Sequence, residues 1–290
     1  MSQSKVSEDK HDNGPLYIDL PAVLQSKLGR KARFVPDWLV HRLENYICVE
    51  RLNLLLRKLY PRTGSDFCQG VLDDLDITVD VVGAENLPDP SHRKVLFACN
   101  HPLGGADGMA LIKFMHDYYG GEVYVVVNDL LMAIEPLREV FVPVNKHGAQ
   151  RHSNSRRFEE VMESDNPVLF FPAGLVSRLH DDGDIKDLTW KTTFVNKAIQ
   201  TGRDIVPLFF SGQNSRGFYK MARRRNKLGL KFNIEMLRLP RELLMLQSSH
   251  LTIYCVHAVE CRHLEGGAHA RDTVERIRQA CYSLQPKGQK

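Results

Sequence analysis

An imidazole and a carboxylate stand close together in the stretch Lys94 to Leu111, KVLFACNHPLGGADGMAL: they belong to His101 and Asp107. A short apolar run (Val95, Leu96, Phe97, Ala98) stops at Asn100-His101, turns through Pro102, Gly104 and Gly105, and resumes as a helical pattern at Asp107. This reads as a strand, a glycine turn and a helix start. Open α/β sheets bind ligands at the carboxyl ends of their strands, where His101 falls. A carboxylate one tight turn later can hold one ring nitrogen, fix the tautomer and leave the other nitrogen to take a proton from a hydroxyl. The same residues also suit a hydrogen-bonded turn before a capped helix, since Asp is a common N-cap, and spacing alone leaves both readings open.

The elements around this stretch take turns. Ile77 to Gly83 alternates as a first strand before the Asn86-Leu87-Pro88 turn. After the opening stretch the pattern predicts a helix from Asp107 to about Tyr119, a strand at Val123 to Val127, a helix from Asp129 to Val140 and a strand at Phe141 to Val144. Then come a helix around Ser153 to Ser164, the strand Val168 to Phe171, a loop at His180 to Asp184, a helix from Thr189 to Gln200 and the strand Ile205 to Phe210. Leu251 to Val259 is a last strand and Asp272 to Tyr282 a closing helix. Such alternation predicts an α/β fold with a mixed, mostly parallel central sheet flanked by helices. Leu16 to Pro61 reads as helices, with Trp38, Leu39, Leu43, Ile47, Leu54, Leu55 and Leu59 as an apolar stripe, and one more helix follows at Asp66 to Leu75. The expected organisation is a polar, disordered tail over 1–15, an N-terminal helical cap over 16–76 and an α/β domain over 77–290.

Length and composition set the broad class. With 290 residues and 43% hydrophobic content, the chain is one large or two small domains with a real core. Basic residues exceed acidic ones by four, so overall charge does not call for a nucleic-acid partner, and none is expected. Six scattered cysteines without a C-x-x-C pair, and an N-terminus without an apolar leader, are expected of a reduced, cytoplasmic compartment. No stretch reaches the ~18 to 20 apolar residues of a membrane span.

Four blocks, in order, carry a family resemblance. Asn100-His101 followed by Asp107 resembles the N-H-x-x-x-x-D signature of the glycerolipid and lysophospholipid acyltransferase superfamily. Phe170-Phe171-Pro172-Ala173-Gly174 resembles its F-P-E-G block, and Pro136 to Lys146 (PLREVFVPVNK) stands where that family has a strand leading to an acceptor-binding polar pair. Val206-Pro207-Leu208 is similar to its late V-P strand, so the likeness covers about Ile77 to Phe210. NHPLGGADG, FPAGLVSR and IKDLTWK together resemble a bacterial subgroup often called hemolysins, whose members are linked to O-acylation of amino-acid-based lipids. Two departures stand out. Asp107 comes one residue late, with Ala106 in the family's place, and the Gly104-Gly105 pair is expected to absorb the extra residue. Ala173 replaces the Glu of F-P-E-G.

The resemblance implies an acyltransferase that moves a fatty acyl group from a thioester, on acyl carrier protein or coenzyme A, to the hydroxyl of a lysolipid. It implies His101 as general base and Asp107 as its orienter. Asn100, Gly104, Gly105, Asn145, Lys146, Phe171, Pro172, Gly174 and Arg178 are the implied substrate-binding residues, and backbone N–H groups around Gly174 the expected oxyanion donors. No metal and no tightly bound cofactor is called for. A block without its Glu leaves Lys146 and Arg178 facing the acceptor with one carboxylate fewer. A lyso-amino-acid lipid is therefore expected as a better acceptor than lysophosphatidic acid. Two alternatives remain: a thioesterase using the same dyad on water, and a non-catalytic basic module binding membrane or nucleic acid.

Two further clusters stand out. Cys255, His257, Cys261 and His263 include the residue types of a zinc site, but on one continuing strand they would not fold back into a tetrahedron. Ile205 to Ile234 contains no Asp or Glu yet carries Arg216, Lys220, Arg223, Arg224, Arg225, Lys227 and Lys231 among Phe218, Tyr219, Met221 and Leu228. A solvated helix face normally mixes signs, so this tract is expected to dock on an acyl carrier or an anionic membrane surface, placing the protein peripherally on the inner face of the cell membrane.

Overall fold

The computed structural model describes residues 18–144, 151–230 and 233–286. The chain divides into two units, Met1–Pro61 and Arg62–Lys290. The expected tail over 1–15 lies outside the described residues.

In the first unit, α1 (Leu20–Leu28) starts at Asp19, whose carboxylate accepts from the Ala22 N–H at 3.0 Å. Two further helices follow, α2 (Asp37–Ile47) and α3 (Val49–Leu59), parted at Cys48 by a left-handed residue with φ 63°. This break divides the apolar stripe expected along one face. Leu55 and Leu59 are buried, whereas Trp38, Leu39 and Leu54 are exposed. Asn53 is buried with its amide matched, donating to the Ile18 carbonyl at 3.2 Å and accepting from the Ile18 N–H at 2.8 Å.

The second unit opens with α4 (Gly64–Asp74), which packs on the later helix α5 (Ala106–Tyr119) and buries Phe67, Cys68, Val71 and Leu72. The division therefore falls at residue 61 and not at 76, because α4 takes its partner from the second unit. Around the sheet the chain runs β1 (Thr78–Val82), β2 (Val95–Cys99), α5, β3 (Tyr124–Val127), β4 (Phe141–Pro143), α6 (Arg151–Glu163) and β5 (Val168–Phe170). A two-stranded hairpin, β6 (Arg178–Leu179) and β7 (Ile185–Lys186), precedes α7 (Thr193–Thr201) and β8 (Asp204–Phe210). The chain ends with α8 (Arg216–Lys227), α9 (Leu239–Leu244), β9 (His250–Cys255) and α10 (Ala270–Tyr282). The seven-stranded sheet has the order β1-β9-β8-β2-β5-β3-β4, and every neighbouring pair is parallel except β8 with β9. It is the mixed, mostly parallel sheet expected from the alternation.

β2 is central. Val95 to Cys99 are all buried, and an unbroken apolar run is what a strand covered on both faces needs. Successive side chains go to opposite faces. Leu96 and Ala98 join a core with Phe158 of α6, Phe194 of α7 and Ile277 of α10, while the Phe97 ring meets Tyr119 of α5 edge-on at 5.8 Å. Ala98 pairs with Phe170 of β5 and Cys99 with Leu208 of β8, so the loops leaving β2 and β5 begin side by side at one edge.

One predicted element differs in type. The helix expected over Asp129 to Val140 is two short 3₁₀ turns, Asp129–Ala133 and Glu135–Leu137. Pro136 would stand inside a continuous helix, where it has no N–H to donate and its ring clashes with the preceding turn. The loop expected at His180 to Asp184 is the tip of the β6–β7 hairpin, closed by the His180 N–H on the Asp184 carbonyl at 2.9 Å with Gly183 at φ 88°.

Candidate active site

β2 runs out at Asn100, and the next residues are held by several separate loops. Asn100 is buried, donating from Nδ2 to the Phe210 carbonyl at 2.9 Å and accepting the Phe210 N–H on Oδ1 at 2.6 Å. Its amide thus ties the ends of β2 and β8 together, a structural role beside the substrate contact expected of it. His101 follows with both backbone groups fixed. Its N–H donates to Asp187 Oδ1 at 3.1 Å, and its carbonyl accepts from the Ser177 N–H at 2.8 Å.

The turn then brings Asp107 back to the ring. Gly104 has φ 92°, and a Cβ there would sit 2.9 Å from Leu239 Cδ1; a Cβ on Gly105 would have ordinary contacts. Gly104 is therefore the member of the pair that must be glycine. Asp107, in the first turn of α5, is fully buried. Its Oδ2 accepts from His101 Nδ1 at 3.0 Å, the Leu103 N–H at 2.9 Å and the Gly104 N–H at 3.2 Å, while Oδ1 takes the Gly108 N–H at 2.8 Å. The extra residue is absorbed and the two side chains meet.

Burial alone would push the Asp107 carboxyl up, but the His101 ring and the donated N–H groups outweigh it and hold the carboxyl below its ordinary value. For His101, burial pulls the imidazole down, and the Asp107 charge with its hydrogen bond overcomes that and raises it. An ionised Asp107 makes Nδ1 the donor, which leaves Nε2 as the free base. The Phe171 ring stacks on the imidazole, with centroids 3.9 Å apart and planes at 25°.

A second carboxylate sits behind the first. Asp187 is 1% exposed and accepts not only the His101 N–H but also Ser177 Oγ at 2.5 Å and Trp190 Nε1 at 2.9 Å; its own N–H donates to the Tyr282 hydroxyl at 2.8 Å. Burial raises its carboxyl despite the hydrogen bonds from Ser177 and Trp190. Asp187 is absent from the residues expected from sequence. Its available signal was the stretch Ile185 to Lys191, where an Asp stands three residues before a Trp.

The block Phe171 to Gly174 is a four-residue turn, closed by the Gly174 N–H on the Phe171 carbonyl at 2.9 Å. That donor is consequently unavailable to an oxyanion. Pro172 is buried, and its carbonyl accepts from the Lys191 N–H at 3.1 Å. Ala173 is buried in the core with Trp190 and Phe194, so the missing Glu does not open a place beside the acceptor. Gly174 is exposed at φ 69°, and a Cβ there would lie 2.7 Å from Lys191 Nζ.

Arg178 does not reach outward as expected. It is buried under Phe218, donating from Nη2 to Glu235 Oε1 at 2.9 Å and from Nη1 to the Val176 carbonyl at 2.6 Å. Glu235 is fully buried and draws in a second cation, Arg225, whose Nε lies 3.0 Å from Oε2. A buried carboxylate needs such partners, which removes Arg225 from the expected docking set. The other members of the tract lie on α8 as an exposed stripe: Arg216, Lys220, Arg223, Arg224 and Lys227. Arg223 donates to the His180 carbonyl at 2.8 Å. Asn145, Lys146 and Lys231 lie outside the described residues. Among the described residues no helix is long and apolar enough to cross a membrane, and no group of three His, Cys, Asp or Glu side chains is placed to hold a metal ion.

Comparison with known proteins places this geometry in context. The family model described as "Acyltransferase" matches residues 22–288. A lyso-glycine lipid O-acyltransferase of Phocaeicola vulgatus is 42% identical over 241 residues, covering 83% of this chain and 85% of the relative. Its namesake from Bacteroides thetaiotaomicron is 39% identical over 241 residues, 83% of this chain and 87% of its own. Among solved structures, the 1-acyl-sn-glycerophosphate (LPA) acyltransferase PlsC from Thermotoga maritima matches 86% of this chain and 97% of its own, at 15% identity and a TM-score of 0.45.

Proposed function

Because the chain belongs to the acyltransferase family and is an O-acyltransferase, we propose that it moves a fatty acyl group from a thioester to the hydroxyl of a lyso-amino-acid lipid, with His101 as the base. The observation that carries this reading is the 3.0 Å contact between His101 Nδ1 and the buried Asp107 carboxylate. Nε2 takes the proton of the acceptor hydroxyl as its oxygen attacks the thioester carbonyl. The tetrahedral oxyanion collapses, the carbon–sulfur bond breaks, and the thiolate leaves with the proton held on Nε2. The products are an ester and a free thiol. The proposed donor is acyl carrier protein or coenzyme A, with no metal or bound cofactor. The two relatives named for lyso-glycine lipid favour an amino-acid lipid over lysophosphatidic acid as acceptor.

The lipid acceptor of such an enzyme lies in or on a membrane. We assign docking to the exposed face of α8, which carries Arg216, Lys220, Arg224 and Lys227 and ends at the exposed Leu228. Cations near anionic headgroups contribute ~1 kcal/mol each.

The test is acyl transfer by purified His101→Ala protein. Loss of a general base lowers the rate typically 10²- to 10⁴-fold, and circular dichroism confirms the fold. Wild-type transfer in the folded variant would end the proposal. Release of free fatty acid at the same rate with and without acceptor would instead make the protein a thioesterase.

A further inference from the structure

Two cations, Lys146 and Arg178, were expected to face the acceptor head group; Lys146 lies outside the described residues, and Arg178 is otherwise engaged. Arg178 is buried against Glu235, and Arg225 shares that carboxylate. The ammonium that does stand on the Phe171–Gly174 turn is Lys191. Its Nζ fills the space beside Gly174 that a side chain would occupy, 2.7 Å from where a Cβ would be. Lys191 is exposed, and among the described residues no carboxylate pairs with its ammonium. Its backbone is fixed at the same turn by the hydrogen bond to Pro172.

The two ends of this turn carry different chemistry. At the first position, Phe171 stacks on the His101 ring. At the fourth, Gly174 carries the Lys191 ammonium. The ends of such a turn are less than about 7 Å apart. A base that takes a hydroxyl proton and an unpaired cation thus flank one short piece of chain. An acceptor carrying a hydroxyl and a single anionic group can engage both.

We infer that Lys191 is the anion subsite of the acceptor, binding the free carboxylate of an amino-acid lipid while its hydroxyl meets His101. The inference rests on the acyl-transfer reading above and adds the residue that selects the head group. One ammonium matches one carboxylate, whereas a phosphomonoester carries up to two charges and three acceptor oxygens that ask for more donors. Lys191 acts on binding, so its effect falls on KM for the acceptor and leaves KM for the thioester donor as it was.

The experiment compares two acceptors on the purified full chain with one acyl thioester: a hydroxyl-bearing N-acylglycine and its neutral primary carboxamide. Wild type should prefer the acid by about tenfold in kcat/KM, as hydrogen bonds to charged groups allow. Lys191→Gln should abolish the preference by raising KM for the acid alone, and Lys191→Arg should restore most of it. The side chain is exposed and its backbone bond survives either change, so both variants should fold. An unchanged preference in Lys191→Gln, or an equal loss on both acceptors, overturns the inference while acyl transfer stands. Absence of transfer from wild type to either acceptor overturns the acyl-transfer reading and the inference with it.

Discussion

Replacing Asp187 by Asn tests whether the second carboxylate holds the His101 ring proposed as the base. Asp187 accepts three hydrogen bonds within 3.1 Å, two on Oδ1 from the His101 N–H and Ser177 Oγ and one on Oδ2 from Trp190 Nε1. An amide keeps one accepting oxygen. If that oxygen stays with His101 and Ser177, the NH₂ faces the indole N–H and two donors oppose each other. If the amide turns over, the NH₂ opposes the His101 N–H. In the better orientation one buried donor goes unmatched, a loss of about 1–3 kcal/mol. Urea unfolding should show that loss in the midpoint with an unchanged slope. Where the amide turns over, activity should fall further than stability, because the His101 backbone then loses one of its two anchors. The Asp187 charge also raises the His101 ring, so its removal should shift the acid limb of kcat/KM to lower pH. A variant within ~0.5 kcal/mol of wild type, with the same kcat/KM and the same limb, would refute this account.

Four other outcomes follow from the charges. In wild type the raised His101 pKa puts the acid limb of kcat/KM above the ordinary histidine value of about 6.5, since the ring works only when neutral. Asp107→Asn should move that limb down and lower kcat, as a pH series will show. On α8, Arg224→Glu should weaken sedimentation with anionic vesicles at 0.1 M salt and leave stability alone. Arg225→Glu should unfold more readily, by about 3–5 kcal/mol, because it sets a second carboxylate against buried Glu235.

The site was legible where its chemistry is local. His101, Asp107 and the turn between them occupy seven consecutive positions, so strand end, glycine and helix start could be read together, and the contact closes at 3.0 Å. β2 was legible because an unbroken apolar run needs cover on both faces. The 129–140 segment was misread through Pro136, whose cost depends on where a helix begins, and boundaries are the weakest part of a periodic pattern. The setting of Asn100 was hidden for a related reason. Its type suits a substrate contact, but its partner is Phe210, 110 residues away, and nothing in the local spacing announces that bond.

Charge was the least legible property, because sequence gives its sign and not its partner. The tract from Ile205 to Ile234 looks unbalanced only while its limits are drawn along the chain. Glu235 stands one residue beyond it, fully buried between Arg178 and Arg225, so part of the missing negative charge is internal. Arg203 carries the point further. It is buried, donating to the carbonyls of Met162 and Val161 at 3.0 Å and of Val95 at 3.1 Å. Burial lowers its guanidinium to about 10, yet the ring of carbonyls keeps it satisfied as a structural tie between α6 and β2. An arginine can therefore fasten a strand, neutralise a buried carboxylate or meet a membrane. In this protein the distinction is made by the carbonyls and carboxylates that distant segments bring to it, and the ligand contacts proposed above fall on Lys191 and the exposed stripe of α8, which no such buried partner among the described residues holds.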